Sequence, residues 1–155
     1  MLYATLKLLH LLSIIVWLGG MVFSLFFLRP AAAHLEPAAK LQLMHGALGR
    51  FLRAAMWSAT LVLGSGFWMI GRVAKQAVQA GGSFDMPLSW TVMATLGVLM
   101  VLVLGHVRFA LYKRLDRAVA GQDWAAGAVA LDSIKRWVSI NLAIGVVIVA
   151  VALLV

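Results

Sequence analysis

Residues 6–20 read LKLLHLLSIIVWLGG. Twelve of these fifteen are aliphatic, aromatic or glycine; the exceptions are Lys7, His10 and Ser13. Continued to Leu28, the run is long enough to cross roughly 30 Å of hydrocarbon at about 1.5 Å per residue. A backbone in lipid must satisfy its own hydrogen bonds, so the stretch predicts a transmembrane helix. Its apolar core exceeds the ~7–15 residues of a secretory signal, and it is expected to persist as a span. Three similar runs follow, giving four expected spans: Leu8–Leu28, Ala54–Gly71, Leu88–Val107 and Trp137–Val155. The expected fold is all-α, a four-helix transmembrane bundle forming one domain over residues 1–155.

Composition agrees. The chain is 64% hydrophobic and 12% charged, against about 45–50% and about 25% in soluble domains. With no cysteine, disulfides, thiolate metal sites and cysteine nucleophiles are excluded. The net charge of +8 would suit nucleic acid, but its placement suits lipid better. Arg29, Lys40, Arg50 and Arg53 lie between spans one and two; Arg108, Lys113, Arg114, Arg117, Lys135 and Arg136 lie between three and four. The positive-inside rule then puts these connections in the cytoplasm and both termini outside. Helices two to four are expected to extend into the cytoplasm: Pro37 suits a first turn, Gly121 a stop, and Asp123 a cap. On the other side Gly81-Gly82 breaks the chain, and Asp85 with Pro87 restarts it. No motif in one half recurs in the other.

All five acids, Glu36, Asp85, Asp116, Asp123 and Asp132, fall outside the spans, which argues against a carboxylate proton relay. Histidine is left as the ionisable group within the membrane. Taking His10 as zero on an ideal helix, Ser13 lies at about −60°, Trp17 at about −20°, Gly20 at about −80°, Met21 at about +20° and Ser24 at about −40°. This stripe should face the bundle, where small residues permit close helix approach. An unpaired buried imidazole is costly, so His10 is a candidate ligand, or else hydrogen-bonds a serine or reaches the headgroups. His106 is the second candidate, with Thr95 at about −20° and Thr91 at about −60° from it. His34 and His45 read as solvated.

His10 and His106 differ in depth by about 24 Å, too far for one ion. Level with His10 the spans bring Met69 and, less closely, Met93; level with His106 they bring Met56, with Ser139 and Asn141. Imidazole with thioether suits Cu(I), and equally the axial ligation of b-type haem between bundle helices. Methionines also simply fill apolar cores. Trp17, on the His10 face, packs the bundle or contacts a cofactor. Trp68, Trp90 and Trp137 read as interfacial anchors. No Ser/His/Asp set, phosphate loop or dinucleotide fingerprint is present.

The stretch LKLLHLLSIIVWLGGMVFSLFFLRPA resembles the first helix of the copper-resistance protein D (CopD) family, particularly its short four-helix bacterial members. The shared pattern is Lys7, His10, Trp17, Gly19-Gly20 and Arg29-Pro30. GRFLRAAMW (49–57), GHVRFALYKRLDRAV (105–119) and DWAAGAVALDSIKRWVSINLAIG (123–145) are similar too. The resemblance implies copper uptake or tolerance in a bacterial cytoplasmic (inner) membrane. The first helix is also similar to that of HemJ-type protoporphyrinogen oxidases, which implies a haem-linked role for His10. Those proteins use a lysine at the haem site; here every lysine lies outside the apolar runs.

The leading expectation is a copper-handling membrane protein with His10, Met69 and Met93 at an outward site and His106 and Met56 at an inward one. The alternative is a b-haem redox protein, an oxidoreductase acting on a quinol or porphyrinogen. A third is a cofactor-free assembly partner. Expected partners are membrane lipid, a metal-donating or redox protein, or a second copy; nucleic acid is not expected.

Overall fold

A computed structural model describes residues 1–154; Val155, the end of the fourth expected span, lies outside them. Four helices account for nearly all of these residues: α1 (Leu2–His34), α2 (Pro37–Gln79), α3 (Leu88–Ala120) and α4 (Trp124–Leu154). Each is long and apolar enough to cross a membrane. All four exceed the expected spans at the basic end of the bundle, α1 by the least, because the polar connections continue as helix. Pro37 opens α2 at a position that needs no amide donor. Asp123 Oδ1 accepts the Ala126 amide at 2.9 Å and caps α4.

The bundle is two antiparallel hairpins, α1–α2 and α3–α4, each packed most closely within itself. Buried side chains on α1 include Ser13, Trp17, Met21 and Ser24, the face expected from the helical angles. Opposite it α3 presents Met100, Val103, Leu104, Val107, Leu111 and Leu115. Glycines let the helices close up. The Phe51 ring covers Gly20, and Leu18 and Met100 both reach within 3.2 Å of where a Cβ on Gly145 would stand.

The core fills only one end. No residue of 1–12, 66–99 or 146–154 is buried. The helix ends near the termini and the Gly81–Leu88 turn are therefore at most half-buried, while the basic end is closely packed.

The halves share a backbone feature that residue patterns did not reveal. α1 contains a π-turn at Ser24–Leu28, and α3 contains one at Val107–Leu111. Leu18 and Met100, which precede these turns by nearly equal distances, meet over the same Gly145. The two π-turns thus sit at about the same depth in the leading helix of each hairpin. Their cause in α3 is legible. Val103, Val107, Leu111 and Leu115 are all buried at a spacing of four, which on an ideal helix drifts by about 40° per step. The wider turn absorbs that drift and keeps the row facing inward.

Candidate functional site

His10 sits at the margin between the buried core and the less buried helix ends. It is half-buried, and its Nδ1 lies 2.9 Å from Oγ of Ser65 on α2. Ser65 is itself buried, and its hydroxyl donates to the Leu61 carbonyl one turn back. A serine hydroxyl has one proton. With that proton on the Leu61 carbonyl, Oγ accepts from the ring, an arrangement that favours the Nδ1–H tautomer. Nε2 then carries the free lone pair, the arrangement in which a second partner orients a histidine for ligation. The neighbouring glycine makes room: a Cβ on Gly66 would stand 3.3 Å from His10 Cε1.

Met69 follows Ser65 by one turn and so stands about 6 Å further toward the free helix ends. Met93 is better matched in depth. It precedes Met100 on α3 by almost the distance that separates His10 from Leu18, and Leu18 and Met100 meet at Gly145. Both methionines are half-buried. Trp17 is fully packed in the core with its indole N–H unpartnered.

His106 is exposed, its ring edge-on to Trp137 of α4 with centroids 5.0 Å apart. Met56 packs against the core from α2, Ser139 is exposed, and Asn141 is buried with Oδ1 unpartnered. Among the described residues no hydrogen bond joins His106 to any of these. Nor, among the described residues, do three or more His, Cys, Asp or Glu converge as a metal cluster. His34 is exposed at the end of α1.

His45, read from the sequence as solvated, has partners. Its Nε2 lies 2.7 Å from Asp116 Oδ1, and its ring stacks on Tyr112 with centroids 5.2 Å apart. The Tyr112 hydroxyl donates to the His45 carbonyl at 3.0 Å, and Arg108 lies over the Tyr112 ring. This cluster joins the two hairpins at the basic end. It depends on Gly49, where a Cβ would meet the Tyr112 hydroxyl. Gly49→Ala must displace the tyrosine and is expected to cost about 1–3 kcal/mol, measurable by thermal unfolding in detergent. The sequence held a signal: His45 and Gly49 are one turn apart on α2, as are Tyr112 and Asp116 on α3.

Four apolar helices, a polar stripe turned inward and basic connections at one end define a multi-pass membrane protein. Residues 45–155 match the family model described as Copper resistance protein D, and the chain belongs to that family. The match begins within α2, so it does not include His10. No curated protein and no solved structure matches the chain.

Proposed function

We propose that this copper-resistance-related membrane protein takes Cu(I) as its cargo through His10 Nε2, admitted from the end of the bundle that carries both termini. That end faces away from the cytoplasm by the distribution of lysine and arginine. One observation carries the proposal: Ser65 Oγ lies against Nδ1, and among the described residues Nε2 has no hydrogen-bond partner. Imidazole with thioether is a donor set suited to Cu(I). Met93 stands near the depth of His10, and Met69 lies one turn further out. Passage inward toward His106 and Met56 would run by Met21 and Met100, both buried.

The test is metal content and an optical spectrum of purified protein. Wild-type protein loaded anaerobically with Cu(I) is expected to hold stoichiometric copper and to be colourless. His10→Ala should lower its affinity by at least about tenfold, with His34→Ala as the unaffected control. A Soret band that sharpens and shifts on reduction would replace copper with b-type haem at His10. Colourless, metal-free wild-type protein would overturn both and leave a role in assembly.

A further inference from the structure

The end of α2 nearest the Gly81–Leu88 turn carries an open patch formed by Trp68, Gly71, Arg72, Lys75, Gln76 and Gln79. All six lie on one face of the helix. Gly71 leaves space between the longer side chains, with nothing within 4 Å of where its Cβ would stand. Trp68 borders the patch toward the membrane centre and is 58% exposed. Arg72 and Lys75 contribute two cations, and the two glutamines add amide donors. No carboxylate borders the patch, and among the described residues neither cation pairs with an acid.

We propose that this patch binds the phosphate of an anionic phospholipid headgroup. The depth fits. Tryptophan settles where acyl chains meet headgroups, and Arg72 stands one turn, about 6 Å, beyond Trp68. A cation at that level meets lipid phosphate, and the apolar stem of Lys75 can lie along the surface while its ammonium reaches the same group. The helix macrodipole favours cations in a last turn, but its influence fades within that turn, and Arg72 lies two turns before the end of α2. Five of the six residues on this face are exposed and Arg72 is half-buried, so none belongs to the buried core.

Native mass spectrometry tests the proposal. The protein is reconstituted into phosphatidylcholine vesicles containing a minor fraction of phosphatidylglycerol, and the phosphatidylglycerol retained on release is counted. Wild-type protein should retain it over phosphatidylcholine. Arg72→Gln/Lys75→Gln should lose that preference by about fivefold or more, and Arg72→Lys should keep more of it than Arg72→Gln does. Arg114→Gln/Arg117→Gln, at the opposite end, should leave it unchanged. An unchanged thermal midpoint shows that the variants fold, as expected for side chains outside the core. Equal retention by wild type and the Arg72/Lys75 variant would overturn the proposal. So would stripping of the lipid by excess inorganic phosphate, which would reassign the patch to a free anion.

Discussion

Ser65→Ala is expected to weaken Cu(I) binding by about ten- to a hundredfold, although serine itself supplies no ligand. Without Oγ the Nδ1 proton loses its acceptor, the imidazole can turn, and both tautomers become populated. Ser65→Thr retains the hydroxyl at the same atom and should recover most of the affinity. Nitrogen-15 NMR of the His10 ring separates this from general loosening. Wild type should show one tautomer with a protonated Nδ1, and Ser65→Ala a mixture. A single unchanged tautomer in Ser65→Ala, with affinity intact, would refute the assigned role.

Gly145→Leu is expected to destabilise the fold by at least about 3 kcal/mol. Leu18 from α1 and Met100 from α3 both stand 3.2 Å from the position of the first added carbon. Three of the four helices therefore meet at one missing side chain. A leucine there must push two of them away, and close packing leaves little slack nearby. Pairing the change with Met100→Ala vacates space on one side. The double variant should be more stable than the sum of the separate costs predicts, the coupling expected of residues in contact. Denaturation in mixed micelles would measure both. A stable Gly145→Leu protein would mean that the helices are further apart at this level than described.

The helices were legible from the length of their apolar runs, and their inward faces from a period of 3.6 residues. Ser13, Trp17, Met21 and Ser24 are buried together for that reason. The partner of His10 was not legible. Whether α2 presents Ser65 or Met69 at that depth depends on how far the two helices slide past one another, which the spans alone leave open by a turn. The same uncertainty ranked Met69 above Met93, whereas the contacts at Gly145 bring Met93 nearer in depth. The π-turns leave only a faint trace in composition, the spacing of four from Val103 to Leu115. His45 went unrecognised because its neighbours come from α3, distant in sequence and brought near only by the antiparallel arrangement of hairpins.

Because no residue of 1–12, 66–99 or 146–154 is buried, the four helices resemble cantilevers clamped at their basic ends. Around Leu48, Leu111 and Ile134, all buried, a displacement would break many contacts; the same displacement near the tips would break fewer. His10 stands where that gradient begins, steadied by Ser65.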